Sequence, residues 1–145
     1  MAEREASPLY TAEMLALAVV LADYPPLNRP TTSGEAVSRT CGSTIALDLA
    51  LSSGGAIDTV GLRVSACAVG QAAAAIFARG APGKSSAEIE RAECEVSDWL
   101  GGGSLPDWPG IEAIAAAQSR PGRHGAILLP WRAARAALSK ETQSG

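Results

Sequence analysis

Two short segments of the chain carry cysteines at places where a thiol could do chemistry. Residues 39–43 read Arg-Thr-Cys-Gly-Ser and put Cys41 beside a glycine, between two strand-like runs. Residues 64–71 read Val-Ser-Ala-Cys-Ala-Val-Gly-Gln and put Cys67 where a strand pattern changes to an alanine-rich helix. Thiolates are metal ligands, and a helix N-terminus favours the ionised form of a cysteine. Either cysteine alone could simply fill core space. If the two strands pair, however, both sulfur atoms could reach one end of the sheet, which favours a shared metal or sulfur site.

The third cysteine, Cys94, is predicted to be an inert surface thiol. It lies between Glu93 and Glu95 on a helix predicted over residues 86–100. At about 100° per residue it points about 140° away from Ile89, which is on the apolar face. Neighbouring carboxylates raise the pKa of a thiol, so Cys94 would be a poor nucleophile.

Residues 79–85 read Arg-Gly-Ala-Pro-Gly-Lys-Ser and superficially resemble a phosphate-binding loop. That motif requires a glycine five residues before Gly83, where this chain has Ala78, and it follows a strand rather than a helix. Ser85 followed by Glu88 is instead typical of a capping box. We therefore interpret the segment as a turn between two helices.

Length and composition indicate one globular domain spanning residues 1–145. The chain has 145 residues, 47% of them hydrophobic and 19% charged, which is enough to form a core. A net charge of -3 without a cluster of basic residues disfavours a nucleic-acid partner. The odd number of cysteines and a start unlike a signal peptide favour a reducing compartment, with the cytoplasm as our expectation. The apolar run at 14–22 is too short to span a membrane.

The hydrophobic pattern predicts an α+β fold. Strict alternation over residues 45–51 indicates a strand, and short connections join it to strands at 35–39 and 57–64, so an antiparallel three-stranded meander follows. Residues 27–34 are predicted to form a loop, and the termini at 1–8 and 139–145 are expected to be flexible. About five helices should pack on the sheet, at residues 11–23, 67–79, 86–100, 111–117 and 130–138.

Three segments in this order resemble the NifU-like N-terminal domain family, the IscU- and SufU-type scaffolds for iron–sulfur cluster assembly. They are Cys-Gly-Ser at 41–43, Ala-Cys-Ala-Val-Gly-Gln-Ala at 66–72 and Arg-His-Gly-Ala-Ile-Leu-Leu-Pro-Trp at 123–131. The loop around residues 83–84 also matches. Together the resemblance covers about residues 8–138.

The resemblance implies a scaffold or carrier that binds a labile iron–sulfur cluster, most simply [2Fe–2S], through Cys41 and Cys67. Gly42 and Arg123 would support the site, and Arg123 could stabilise a thiolate by charge or be a solvated charge near a turn. The implied partners are a cysteine desulfurase and an acceptor apoprotein. The implied role is binding and transfer, not enzymatic turnover.

The chain departs from the family pattern at several positions. Ser43 replaces the family's aspartate, and the third cysteine of the family falls on Ala126. His124, the single histidine, lies two residues before that position. An imidazole suits iron and zinc, although a lone histidine beside a glycine is more often an ordinary surface residue. Residues 118–122 do not match the family's chaperone-recognition stretch, so we do not expect chaperone handover.

Two thiolates from one chain cannot complete a [2Fe–2S] or a zinc site, since each needs four ligands. One alternative is a homodimer in which two chains each contribute Cys41 and Cys67. A second is a single chain that adds His124 together with Ser43, water or a small thiol. The remaining alternatives are a zinc-binding variant and an adaptor protein that keeps the fold without assembling clusters. An independent thiol enzyme is disfavoured because His124 is the sole histidine candidate for a base.

Overall fold

The computed structural model describes residues 9–144 and has an antiparallel three-stranded sheet in the order β1-β2-β3. Four α-helices and the longer of three 3-10 helices complete the fold, which confirms the predicted α+β class. The strands are β1 (Thr32–Val37), β2 (Thr44–Leu51) and β3 (Ile57–Ser65), and the α-helices are α1 (Ala12–Val20), α2 (Ala68–Gly80), α3 (Ser86–Leu100) and α4 (His124–Ser144). The 3-10 helices are Leu21–Asp23, Ile111–Ser119 and Pro121–Arg123.

Alternation along β2 separates the sheet into two faces. Ile45, Leu47 and Leu49 are buried on the inner face, against which α4 packs. Gly34 of β1 is essential to this packing, because a Cβ there would overlap the carbonyl oxygen of Ala133 in α4. The sheet and α4 therefore approach more closely than any side chain at position 34 would permit.

Three aromatic rings hold α2 and α4 together behind the sheet. Phe77 stacks on Trp108 with the ring centroids 5.5 Å apart, and Trp131 meets both rings edge-on. The indole N–H of Trp108 donates a hydrogen bond of 2.9 Å to the carbonyl of Ile76. This cluster lies in the helical layer, where each aromatic pair contributes about 1 kcal/mol beyond its burial.

The turn between α2 and α3 is built as the sequence predicted. The Ser85 hydroxyl accepts from the backbone N–H of Glu88 at 3.2 Å, and the Glu88 carboxylate accepts from the N–H of Ser85 at 3.0 Å. This capping box opens α3 after a helix, which rules out the strand-to-helix context that a phosphate-binding loop requires. Cys94 is exposed on α3, as predicted.

Two predicted boundaries are wrong. β1 begins at Thr32 inside the predicted loop at 27–34, because the Thr32 hydroxyl bonds the carbonyl of Ala137 at 2.8 Å and anchors the strand to α4. The last helix begins at His124 rather than near Pro130, which lies inside it. Burial of residues 126–131 favours the helix strongly enough to accommodate the proline.

The C-terminal segment that we expected to be flexible is helical as far as the structure describes it. α4 continues to Ser144, and the Lys140 ammonium donates to the carbonyl of Ser33 at 2.7 Å. The other segment that we expected to be flexible, residues 1–8, lies outside the described residues. None of the helices between residues 9 and 144 has the length and apolarity that crossing a membrane requires.

Replacing Gly34 with alanine should destabilise the fold by about 2 kcal/mol or more, because the new methyl group would meet backbone atoms of α4 that cannot rotate away. Urea unfolding would measure the change. Gly54→Ala is the matched control, since the nearest atom to its Cβ, Ser52 Oγ, would be 4.0 Å away. Equal unfolding midpoints for the two variants would contradict the close sheet–helix contact.

Candidate thiol site at the end of the sheet

Cys41 lies in the loop of the hairpin between β1 and β2. Gly42 takes a left-handed conformation with φ of 75°, which few residues other than glycine adopt readily. The loop is closed by two backbone hydrogen bonds of 2.8 Å, from Ser38 N–H to the Ser43 carbonyl and from Gly42 N–H to the Ser38 carbonyl. The loop therefore presents the exposed Cys41 side chain at the end of the sheet.

Two buried hydroxyl groups contact the Cys41 thiol. The Sγ atom lies 3.3 Å from Ser38 Oγ and 3.2 Å from Ser43 Oγ, within hydrogen-bonding distance for sulfur. Once the thiol ionises, both hydroxyls can donate to it. These hydrogen bonds, first from Ser38 and then from Ser43, lower the pKa of Cys41, and the positive charge of Arg123 lowers it further. Ser43, at the position of the family's aspartate, thus supports the thiolate as a neutral donor.

Cys67 is the N-cap residue of α2, half-buried and with an extended backbone. Its carbonyl accepts the N–H of Gln71 at 2.9 Å, but its side chain makes no capping hydrogen bond. In the sheet register Thr44, which follows the Cys41 loop, pairs with Ser65, which precedes Cys67. The chain segments that carry the two cysteines therefore lie at the same end of the sheet, as the sequence pattern predicted.

Arg123 interacts by charge with both cysteines. Its Nη2 donates to the Tyr10 hydroxyl at 3.1 Å. That hydrogen bond and the charge interaction with Tyr10 raise the pKa of Arg123, and the charges of Cys67 and then Cys41 raise it further. The Nε atom is buried and has no hydrogen-bond partner within residues 9–144. A cation is thus held where it interacts with both thiols.

His124 is oriented by the backbone. Its Nε2 lies 3.0 Å from the carbonyl oxygen of Ala117 and 2.9 Å from that of Gln118, so it acts as a hydrogen-bond donor. Nε2 therefore has no lone pair for a metal, and the lone pair of the ring lies on Nδ1. Among residues 9–144 no group of three or more His, Cys, Asp or Glu side chains is arranged to hold a metal ion.

Ala126 occupies the position that the resemblance assigns to a third cysteine. It is buried, and its Cβ would lie 3.1 Å from a Cβ added to Gly70 in the first turn of α2. Position 126 is therefore close to the Cys67 helix start, but its methyl group offers no ligand. The nearby Gly125 adjoins the Cys41 loop, because a Cβ there would overlap Ser38 Oγ.

Sequence reasoning missed two contributors to the site. Ser38 precedes Cys41 by three residues, and only the closed loop brings its hydroxyl to the sulfur. Tyr10 is separated from Arg123 by more than a hundred residues, and no local motif marks it. The serine-threonine content around Cys41 was the one signal in the sequence that could have indicated a hydroxyl-lined thiol.

Comparisons with known proteins give matches in structure. No protein-family model matches the chain, and no curated protein matches its sequence. A NifU-like protein (N-terminal) from Brucella abortus superposes with a TM-score of 0.86 at 23% identity, covering 94% of this chain and 96% of its own. A protein from Fervidobacterium islandicum AW-1, named as an iron–sulfur cluster assembly scaffold for the SUF system, gives 0.80 at 19% identity, covering 90% and 96%.

A third structure, titled only as a hypothetical protein, has a TM-score of 0.64 at 19% identity and covers 86% of this chain and 97% of its own. At these identities the likeness concerns the fold. It confirms the predicted NifU-like architecture.

Removing the Ser38 hydroxyl should make Cys41 less reactive near neutral pH. In Ser38→Ala the thiolate loses a hydrogen-bond donor, so the pKa of Cys41 rises. At any pH below that pKa, alkylation of Cys41 by iodoacetamide should be a few-fold slower than in the wild type. Mass spectrometry resolves the rate for each cysteine across pH. Cys94 is the internal reference, whose profile should not move. An unchanged Cys41 profile would show that the hydroxyl does not support the thiolate.

Proposed function

We propose that this chain is a divergent member of the NifU-like N-terminal family that assembles or carries an iron–sulfur cluster through Cys41 and Cys67. The proposal is supported by the NifU-like fold, by the strand register that brings the chain to both cysteines at one end of the sheet, and by the charge interaction of Arg123 with each of them. The cluster is cargo in this proposal, and the role is binding and transfer without turnover. Sulfur would come from a cysteine desulfurase, and an acceptor apoprotein would take the cluster.

The chemistry of the site suits an anionic, sulfur-rich cargo. Thiolates bind iron–sulfur clusters, and the guanidinium of Arg123 offsets part of their negative charge. The hydroxyls of Ser38 and Ser43 hold the Cys41 sulfur in one position. We propose [2Fe–2S] as the cargo. We propose the cytoplasm as the compartment, because all three thiols are free and need reducing surroundings.

The donor count of one chain falls short of the four ligands that a cluster or zinc needs. Ala126 supplies none, and His124 would have only Nδ1 to offer, since its Nε2 donates to two carbonyl groups, so one chain brings at most three sulfur or nitrogen ligands. We therefore propose that the remaining ligands come from outside the chain, either from a second copy or from a small thiol. Zinc bound by the same two cysteines is the alternative cargo.

A second candidate is an adaptor that keeps the fold but does not assemble clusters. The buried methyl group of Ala126 and the neutral hydroxyl of Ser43 favour it, because each replaces a ligand of the family pattern. The two candidates differ in whether the protein retains iron and sulfide.

Anaerobic reconstitution of the full chain with iron and sulfide should give visible charge-transfer absorption, with iron and sulfide bound in equal amounts. Cys41→Ser and Cys67→Ser should each abolish it, because each removes half of the thiolates. Cys94→Ser is the matched control and should leave it unchanged, since Cys94 is exposed on α3. A colourless wild-type product free of iron would favour the adaptor.

Restoring a thiol at position 126 should strengthen retention of the cluster. Ala126→Cys adds a sulfur beside the first turn of α2, so the half-life of the charge-transfer band against a chelator should increase several-fold. Ala126→Ser is the matched control, because it adds an atom of similar placement that binds iron poorly. Equal half-lives for the two variants would argue against position 126 as part of the ligand sphere.

A further inference from the structure

The outer face of the sheet is covered over only half of its length. The segment after α1 covers the half far from the cysteines, where Leu27 N–H donates to the Asp48 carboxylate at 3.1 Å. A Cβ on Gly61 there would lie 2.7 Å from the carbonyl oxygen of Pro25. The half nearest the cysteines has no such cover. We call it the open sheet face, formed by the side chains of Glu35, Val37, Thr44, Ala46, Arg63 and Ser65.

Opposite charges flank the centre of the open sheet face. In the strand register Glu35 pairs with Ala46, and Ala46 pairs with Arg63, so the three residues form one row across the sheet. At a strand spacing of about 4.8 Å, the two charged residues stand about 10 Å apart. The small side chain of Ala46 leaves a shallow depression of ≈ 370 Å³ between them. Neither charged side chain forms an ion pair within residues 9–144.

We propose that the open sheet face binds the same face of a second copy of this chain, about a two-fold axis parallel to the strands. Rotation about that axis places β1 of one copy opposite β3 of the other. Glu35 of each copy then lies opposite Arg63 of the other, so two ion pairs form around the paired Ala46 residues. Val37, which is 60% exposed, is covered at the same time.

The charge pattern also selects the orientation of the dimer. A two-fold axis across the strands would place Glu35 opposite Glu35 and Arg63 opposite Arg63, which is repulsive. Only the axis along the strands makes the face complementary to itself. With the two-fold axis along the strands, corresponding strands of the two copies run in the same direction. The cysteine-bearing ends of both copies therefore lie at the same end of the dimer. If the proposed function holds, the two thiol pairs lie at that end, one on each copy.

The contact area is modest, so the dimer should be weak and concentration-dependent. Sedimentation analysis of the reduced, metal-free full chain from micromolar to millimolar concentration would measure it. Glu35→Arg and Arg63→Glu should each weaken association at least about tenfold, because each replaces two attractive pairs with two repulsive ones. The double variant exchanges the charges and should restore association to near the wild-type level.

Matched controls carry the same change in net charge away from the face. Glu13→Arg and Arg29→Glu alter exposed residues and should leave association unchanged. An equimolar mixture of the two single variants of the face should form a heterodimer, since each supplies the charges that the other lacks. Circular dichroism of every variant would establish that the fold is kept.

A chain that stays monomeric up to millimolar concentration would overturn the proposal. So would a dimer that the single substitutions leave intact, or one that the double variant does not restore. Because the assay contains neither iron nor sulfide, its outcome is independent of cluster reconstitution. If reconstitution fails but the double variant restores association, the cluster is rejected and the interface is kept. If reconstitution succeeds but the double variant does not restore association, only the interface is rejected.

Discussion

The thiol site depends on close contact among three chain segments, which two glycines permit. Gly70 lets the first turn of α2 approach Ala126 in α4, and Gly125 lets the first turn of α4 approach Ser38 in the Cys41 loop. A methyl group at either position would overlap or crowd its neighbour. Because these contacts fix the helix starts against the hairpin, they place Cys67, Arg123 and Cys41 around one region.

Electrostatics at the site rely on dipoles more than on charges. Two hydroxyls and one guanidinium support the Cys41 thiolate, while the position of the family's carboxylate carries Ser43. A hydroxyl can donate to a thiolate, whereas an ionised carboxylate cannot and would repel it. The hydroxyl of Ser43 therefore favours the thiolate, and under the proposed function it would leave the cluster without the anionic ligand that the resemblance assigns to this position.

Much of the fold could be predicted because its signals are local. Alternation along β2, the capping box at Ser85 and the helix start after Cys67 all arise from neighbouring residues. The start of β1 at Thr32 and the start of α4 before Pro130 could not be predicted, since each is fixed by contacts with distant segments. The same distinction applies to the site. Cys41 and Cys67 stand out by their local context, whereas the Tyr10 hydroxyl joins Arg123 only in the folded chain.

The burial of the aromatic residues has a practical consequence for spectroscopy. All three tryptophans of the chain, Trp99, Trp108 and Trp131, are buried in the helical layer. Their fluorescence emission should therefore be blue-shifted in the native state and should report the integrity of that layer. A change at the cysteines that leaves the emission spectrum constant has left the surroundings of the indole rings intact. A red shift means that water has reached the indole rings.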